Sequence, residues 1–367
     1  RFGFVNWRGI HFIPKCFLRK FSIFVKMTEV LQVLYQFNEL YAPFAGTSIF
    51  SLLKNNDDIK YIHVYILGEN LTDETICTIR QTVHDFKRQV TFLDTEKVLT
   101  QLQSLGIPQY RGSYTTNFKL LLPELLPEES GRILYIDSDT VITASLKPLL
   151  DWDLKGCPLA MAYDSLGKKH ALQIGLTGDD AYFNAGVILI DLKEWRKRQC
   201  TERIIRYAKS VRAHFMSPDQ DLLNVVLKGE IRTLPPQYNL QPIHKRYTIK
   251  QYNYTFRPPV YYTDAEIESA VKTPSILHFF RFLGEFPWNK KSLHPYRPEF
   301  DYYLRNSRWK RFQKTELRNT NFIFRFEKFL YKVLPDFCFL LVYQFAYQLF
   351  ISRCAKDSRE GENCRLM

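Results

Sequence analysis

The chain contains 367 residues, of which 46% are hydrophobic and 24% are charged, and its formal net charge is +13. These proportions are typical of a folded soluble protein and argue against a disordered one. The positive charge favours a phosphorylated ligand, a polyanion or an anionic membrane surface as a partner.

The N-terminal segment, residues 1–26, has no small-residue cleavage site and is not predicted to be a signal peptide. Met27 precedes the first convincing strand, and two interpretations stay open: the protein starts at Met27 and residues 1–26 are an upstream extension without a role in the fold, or residues 1–26 belong to the natural protein. The seven cysteines of the chain are scattered and contain no CxxC pair. This pattern favours a reducing, cytoplasmic environment and argues against a zinc site.

Strand and helix patterns alternate from Val30 onward, which predicts an α/β domain over residues 27–300. Apolar runs predict buried strands at 30–37, 61–67, 90–93 and 276–282. Helices are predicted after Pro43, which suits a first helical turn, and after Thr72, which is a predicted N-cap. Residues 231–242 have the composition of a loop. Alternation of this kind predicts a mixed, mainly parallel sheet covered by helices on both faces.

The character of the sequence changes after residue 300. Residues 305–332 contain nine Lys or Arg and two acidic residues, with phenylalanines and tyrosines interleaved among them. We therefore predict that residues 301–367 form a basic, aromatic, helical appendage. Such sequences favour the headgroup region of an anionic bilayer, so residues 305–353 are predicted to dock on the inner face of the cell membrane without crossing it. The alternative is that these aromatic residues pack onto the preceding domain as ordinary core.

The stretch YIDSD (135–139) carries two aspartates at the end of a buried strand. Residues i and i+2 of a strand point to the same side, so Asp137 and Asp139 can converge on one hard divalent cation, Mg²⁺ or Mn²⁺. A cation at this position suits a diphosphate, since it neutralises the charge of a leaving phosphate. The alternative is that Asp139 caps a turn and Asp137 is half exposed.

Further motifs occur in a fixed order around this stretch: RILYIDSDTVITASLKPLLDWDL, YFNAGVILIDLKEW, DQDLLNVVLKG and ILHF. Together with the opening LYQFNELYAPFAGTSIFSLLKNN they resemble the family 8 glycosyltransferases, especially their bacterial galactosyl and glucosyl branch. The resemblance covers roughly residues 30–300. It implies a GT-A catalytic domain over residues 27–300 that uses Mn²⁺ or Mg²⁺ and retains the donor's anomeric configuration. It also implies UDP-glucose or UDP-galactose as donor and a cell-surface saccharide or lipid-linked saccharide as acceptor.

The resemblance also implies roles for individual residues. His278, which alone would be interpreted as a core histidine, becomes the third metal ligand beside Asp137 and Asp139. The implied donor-binding residues are Gln36, Asn38, Lys119, Asp137, Ser138, Asp139, Ala185, Gly186 and Gly284. The implied residues around the reacting sugar are Asp164, Asn184, Asp219 and Gln220. Because a neutral amide oxygen is a poor nucleophile, we expect front-face attack by the acceptor hydroxyl rather than a covalent intermediate on Gln220.

The sequence departs from the family pattern in its late motif, which reads HFFRFLGEFPW and is two residues longer than usual. Phe286 stands where a diphosphate-binding cation is expected. Either Arg281, Lys290 or Lys291 takes that role, or phosphate binding is weakened. Two further departures are Lys119 in place of an arginine, which loses the bidentate fork, and Leu40, which cannot hydrogen-bond a ribose.

The leading hypothesis is therefore a metal-dependent retaining hexosyltransferase. A first alternative is a catalytically silent nucleotide-sugar-binding or glycan-binding homologue, which the altered late motif would explain. A second is a polyanion-binding protein that uses the basic tail, although no nucleic-acid-binding signature accompanies the charge, and nucleic acid is not expected as a partner. An NAD-dependent dehydrogenase is disfavoured, because the first strand–helix turn has no GxGxxG.

Overall fold

The computed structural model describes residues 30–105, 109, 114–128, 130–165, 168–211, 215–316 and 322–346. The predicted extension 1–26 and two parts of the predicted appendage, residues 317–321 and 347–367, lie outside these ranges. The strands are β1 Val30–Asn38, β2 Tyr61–Glu69, β3 Gln89–Phe92, β4 Arg132–Ile136, β5 Thr140–Ile142, β6 Leu159–Tyr163, β7 Phe183–Asp191, β8 Ile231–Thr233 and β9 Ile276–His278. The helices are α1 Ala42–Lys54, α2 Asp73–Asp85, α3 Thr95–Leu105, α4 Leu122–Leu125, α5 Lys168–Gln173, α6 Leu192–Lys197, α7 Cys200–Ser210, α8 Pro218–Val226, α9 Ile249–Phe256, α10 Asp264–Lys272, α11 Arg297–Asn306 and α12 Phe322–Val333.

Seven strands form one sheet in the order β3-β2-β1-β4-β7-β6-β8. Strand β7 runs antiparallel to both of its neighbours, and the other neighbouring pairs are parallel. Strand β1 is buried on both faces, because Val33 and Tyr35 pack into one core cluster and Leu34 packs into another. The mixed, mainly parallel sheet predicted from the alternation is thus confirmed.

The two helix-start residues predicted in the first half of the chain lie at the starts of helices in the structure. Pro43 lies in the first turn of α1, and the Thr72 side chain accepts a hydrogen bond from Thr75 N at 3.2 Å and caps α2. Both features favour helix initiation, because proline needs no N–H partner there and a hydroxyl satisfies a free N–H group. Helix α1 therefore begins one residue before Pro43, and helix α2 begins directly after Thr72.

The predicted loop 231–242 differs from the structure. It contains the short strand β8 and then an extended segment, in which Leu240 N donates to Ile276 O at 2.9 Å and His278 N donates to Leu240 O at 3.1 Å. Residues 239–241 therefore line up beside β9. The predicted strand at 276–282 is shorter than expected and ends at His278.

A second, two-stranded sheet positions the two halves of the predicted metal site. Strands β5 and β9 pair antiparallel with Thr140 opposite His278. Phe279 N donates to Asp139 O at 2.8 Å just beyond this pair. This pairing brings the late motif beside YIDSD although the two are about 140 residues apart in sequence.

The described C-terminal part consists of α12 and a helical stretch at 336–346, and both pack onto the α/β domain. Phe339 and Leu340 are buried in a cluster with Tyr247, Phe282 and Leu283. The outer side exposes large apolar side chains: Phe326, Phe329, Val333, Phe337, Leu341, Val342 and Phe345. The alternative that the aromatic residues pack onto the preceding domain therefore holds for the inner side of the described C-terminal part and not for its outer side. The domain division at residue 300 stays a prediction, and α11 crosses it.

Candidate active site

Two aspartates and one histidine meet at the carboxyl end of β4. Asp137 and Asp139 follow the strand directly, and His278 ends β9. One potential ligand atom from each residue lies within 4.8 Å of the other two. His278 Nε2 is 3.4 Å from Asp139 Oδ1 and 3.8 Å from Asp137 Oδ2. Two carboxylate oxygens and one imidazole nitrogen are a donor set that suits Mn²⁺ or Mg²⁺.

The electrostatics of this cluster favour a cation. Burial raises the pKa of the Asp137 carboxyl, and the Asp139 carboxylate adds to that increase against the opposing effect of Lys119. Burial by itself lowers the pKa of His278, but the carboxylates of Asp139 and Asp137 outweigh it and the pKa is raised. Asp137 and His278 therefore hold a proton more readily here than in water, so the cluster favours positive charge. A divalent cation would supply that charge in place of protons.

A chain of hydrogen bonds determines which nitrogen of His278 faces the carboxylates. The backbone N–H of Gly186 donates to Asn184 Oδ1 at 2.9 Å, and this bond identifies the oxygen of the Asn184 amide. Asn239 Nδ2 donates to the same oxygen at 2.9 Å. The Asn239 Oδ1 atom then faces His278 Nδ1 at 2.9 Å, so Nδ1 carries the proton. His278 Nε2 is thereby left unprotonated and available to a cation, as is common for metal-binding histidines.

Gly186 leaves the space that the His278 ring occupies. A Cβ atom at this position would lie 2.1 Å from His278 Cε1 and 2.9 Å from Asn184 Oδ1. The His278 side chain therefore approaches the backbone of β7 closely at this glycine. Asn184, Ala185 and Gly186 lie within β7, opposite an irregularity in its pairing with β6.

Lys119 provides a buried positive charge beside the aspartates. Its Nζ is 2.7 Å from Asp219 Oδ2 and 3.8 Å from Asp137 Oδ1, and it donates to Ala185 O at 3.0 Å. It also lies 4.2 Å from the centre of the Tyr135 ring, whose hydroxyl donates to Asp137. The ammonium of Lys119 thus hydrogen-bonds to Asp219 and Ala185 and makes a longer ion pair with Asp137. A lysine thus fits here without a guanidinium fork.

A second polar network surrounds Gln220 at the start of α8. Its Oε1 accepts from Ala185 N at 3.0 Å and from Asn184 Nδ2 at 3.1 Å, and its Nε2 donates to Asp164 Oδ2 at 3.2 Å. Asp164 also accepts from Asn184 Nδ2 at 3.0 Å and from Gln241 Nε2 at 3.3 Å. The backbone N–H of Ala185 therefore orients the Gln220 amide, and both lone pairs of its oxygen are engaged.

These residues open onto one cleft with a volume of about 440 Å³. Of the predicted site residues, the cleft is lined by Gln36, Asn38, Lys119, Asp137, Ser138, Asp139, Ala185, Gly186, Asp219, Gln220 and His278. Asp164 and Asn184 lie behind this lining and contact it through Gln220. Gly284 lies in a tight turn outside the lining with a φ of +71°. The exposed Leu40 is also outside it.

The side of the cleft near β1 carries polar atoms that lack a partner within the described part of the protein. Asn38 Oδ1 and Thr116 Oγ1 are buried without a hydrogen bond. Gln36, in contrast, is engaged on both ends, since its Oε1 accepts from Lys119 N at 3.1 Å and its Nε2 donates to Thr116 O at 2.9 Å. A buried oxygen without a partner is costly, so these two atoms fit a ligand that donates hydrogen bonds here.

Among the three cations considered for the altered late motif, only Arg281 lines the cleft. Its guanidinium lies 5.3 Å from the centre of the Phe286 ring, which also lines the cleft. Lys290 pairs with Glu316 at 3.1 Å, and neither it nor Lys291 belongs to the lining.

Three contributors to the site were missed in the sequence. Asn239 and Gln241 lie in the predicted loop 231–242, where alternate residues of an extended segment point to one side and contact His278 and Asp164. The alternation of polar Asn239 and Gln241 around apolar Leu240 is a signal for an extended segment. The nearby prolines favoured a loop instead. Tyr135, which donates to Asp137, was visible only as an apolar strand residue.

The comparisons with known proteins agree with this geometry. The model of the family Glycosyl transferase family 8 matches residues 32–292. General stress protein A of Bacillus subtilis is 24% identical over 291 residues, which cover 78% of this chain and 96% of that protein. Lipopolysaccharide 1,2-glucosyltransferase of Escherichia coli is 28% identical over 291 residues, which cover 78% of this chain and 81% of that protein.

Solved structures share the fold. The galactosyltransferase LgtC, solved in complex with donor and acceptor sugar analogs, matches with a TM-score of 0.62 at 20% identity, over 76% of this chain and 96% of that chain. The bifunctional glycosyltransferase WbbM matches with a TM-score of 0.62 at 21% identity, over 77% of this chain and 50% of that chain. The predicted GT-A fold is thus confirmed. Since the family model spans more than half of the chain, the resemblance carried by the ordered motifs is confirmed as well, and the chain is a glycosyltransferase that belongs to Glycosyl transferase family 8.

Proposed function

We propose that this glycosyltransferase moves glucose or galactose from a UDP-sugar to a cell-surface or lipid-linked saccharide, with retention of the anomeric configuration. The observation that carries the proposal is the cluster of Asp137, Asp139 and His278 on the wall of the cleft. A bound Mn²⁺ or Mg²⁺ would neutralise the charge of the leaving diphosphate. Lys119 would add a buried positive charge beside it.

The contacts of Gln220 favour front-face attack over a covalent intermediate. Its Oε1 already accepts from Ala185 N–H and Asn184 Nδ2, so no lone pair is directed at a substrate without breaking one of these bonds. The amide would instead orient the donor sugar together with Asp219. The acceptor hydroxyl would attack from the side on which the diphosphate leaves, and its proton would pass to that leaving phosphate.

A screen of UDP-sugars for hydrolysis and transfer tests this proposal. The purified chain is stripped with EDTA, and release of UDP from UDP-glucose and UDP-galactose is measured with and without Mn²⁺ or Mg²⁺. We expect metal-dependent release of UDP from one of these donors. Binding of UDP without turnover of any UDP-sugar would instead favour the silent homologue, and absence of UDP binding would contradict the proposal.

Retention is the expected stereochemical outcome. An α-linked UDP-sugar should yield an α-linked product, because acceptor and leaving group share one face of the sugar. NMR of the anomeric proton of the product measures this directly. A β-linked product would require a base on the opposite face and would contradict front-face attack.

The exposed C-terminal surface supports a position on an anionic membrane. Phe337 and Phe345 are 66% and 68% exposed, and the basic residues Arg325 and Lys332 are exposed on the neighbouring helix. Aromatic rings and basic side chains together favour the headgroup region of anionic lipids. No helix among the described residues is long and apolar enough to cross a bilayer. We infer peripheral docking on the cytoplasmic face, which would bring the cleft to a lipid-linked acceptor.

Replacing Phe337 and Phe345 with glutamine should weaken binding to anionic vesicles by roughly tenfold or more, since each ring loses apolar burial in the membrane. Sedimentation with vesicles at low and high salt measures this. Leu172→Gln is the matched control, because Leu172 is 57% exposed on another part of the surface. Equal sedimentation of the double variant and the unaltered chain would rule out docking through these rings.

A further inference from the structure

The late motif contains a tight turn between the metal-ligand region and the Pro-Trp pair. Phe282 N donates to Glu285 O at 2.9 Å, and Glu285 N donates to Phe282 O at 3.0 Å. Leu283 and Gly284 occupy the two central positions with φ of +51° and +71°. Two central residues with positive φ make a two-residue hairpin turn. This turn lies within the segment that is two residues longer than the family pattern.

The turn packs against the C-terminal helices. Phe282 and Leu283 are buried in the same cluster as Phe339 and Leu340. The Phe282 ring also meets the Tyr331 ring of α12 edge-on, with ring centres 5.6 Å apart. The apolar half of the turn is therefore covered by the C-terminal part of the chain.

The polar half of the turn is held by one ion pair. Glu285 is 2% exposed, and Lys328 of α12 donates to its Oε1. Leu293 N donates to Glu285 Oε2 at 3.1 Å. A carboxylate buried this deeply needs a charged partner, and removal of Lys328 would leave it without one.

The residues on either side of the turn belong to the cleft. Arg281 precedes it and Phe286 follows it, and both line the cleft. Phe286 stacks on Trp288 with ring centres 4.5 Å apart, and the guanidinium of Arg281 lies 5.3 Å from the centre of the Phe286 ring. A shift of the turn would therefore move Arg281 relative to Asp137 and Asp139.

We propose that helix α12 positions Arg281 for the donor's diphosphate through the Lys328–Glu285 pair. Glu285 and Lys328 are then positioning residues, and Arg281 supplies the cation that the family pattern carries at the place of Phe286. This inference rests on the proposed use of a UDP-sugar. It assigns the C-terminal helix a role in donor binding in addition to docking at a membrane.

The test compares five variants of the full chain in UDP affinity by calorimetry and in KM and kcat for the donor that the screen identifies. Lys328→Met should raise the Kd for UDP and the donor KM by about tenfold while kcat at saturating donor stays within about twofold. Lys332→Met, which removes an exposed charge from the same helix, should leave all three unchanged. The double variant Glu285→Gln/Lys328→Met should recover most of the affinity, because no buried carboxylate is left unpaired.

The fourth variant, Arg281→Met, shows whether Lys328 acts through Arg281. It should raise the donor KM as much as Lys328→Met does, and adding Lys328→Met to it should raise the KM little further. Equal UDP affinity of Lys328→Met and Lys332→Met, or additive effects of Arg281→Met and Lys328→Met, would overturn the inference. In either case the unaltered chain still turns over its UDP-sugar, which distinguishes this failure from failure of the proposed function.

Discussion

Replacing Asp139 with asparagine should lower turnover of a UDP-sugar by at least about 100-fold at subsaturating Mn²⁺. The substitution removes the proposed ligand atom, which lies 3.4 Å from His278 Nε2, together with one of the two negative charges of YIDSD. An amide oxygen remains but binds a hard cation weakly, since it carries no net charge. The loss should appear in metal-dependent release of UDP from the donor.

Two controls accompany Asp139→Asn. Asp57→Asn removes an exposed carboxylate that is not part of the cleft lining and should leave turnover unchanged. Thermal unfolding of both variants checks that the fold is intact. If Asp139→Asn kept near-normal turnover at saturating Mn²⁺, Asp139 would not be a ligand and the metal assignment would be wrong.

Asn239→Leu should weaken Mn²⁺ binding by roughly 10–100-fold, the usual effect of losing the partner of a metal-binding histidine. Leucine has a similar volume but accepts no hydrogen bond from His278 Nδ1, so the ring is free to rotate or to exchange the proton between its nitrogens. It also removes the donor to Asn184 Oδ1. Competition between Mn²⁺ and Mg²⁺ followed by EPR measures the affinity without any enzymatic assay.

Asn239→Asp separates the two contacts of this residue. Aspartate still accepts from His278 Nδ1–H but donates nothing to Asn184, so Mn²⁺ affinity should remain closer to that of the unaltered chain. Asn253→Leu, at an exposed position on α9, serves as the matched control. Equal Mn²⁺ affinity of Asn239→Leu and Asn253→Leu would mean that Asn239 does not orient the histidine.

Features encoded in neighbouring residues were predictable from the sequence. YIDSD follows an apolar run, so both the strand and the convergence of Asp137 and Asp139 follow from local spacing. Thr72 and Pro43 likewise act within one turn of the helix that they begin. His278 required the order of several motifs, since a single buried histidine carries no local sign of its partner.

The remaining features depend on contacts that are distant in sequence. Asn239 reaches His278 only because Leu240 pairs beside Leu277, and three prolines gave the segment 231–242 the composition of a loop. Lys328 and Glu285 are 43 residues apart in sequence, and helix α11 lies between them. A sequence pattern reports periodicity and capping, whereas the pairing of remote segments follows from the packing of the whole domain. The altered late motif was visible in the sequence, but its contact with α12 was not.

Direct binding of Mn²⁺ in the presence and absence of UDP tests the central claim most directly. EPR titration of the unaltered chain should show one tightly bound Mn²⁺ per chain, with an affinity that increases when UDP is added because the two ligands share the site. The triple variant Asp137→Ala/Asp139→Ala/His278→Ala should bind no Mn²⁺ with comparable affinity. Equal Mn²⁺ binding by the triple variant, or no binding by the unaltered chain even with UDP, would contradict a metal-assisted transfer at this cluster.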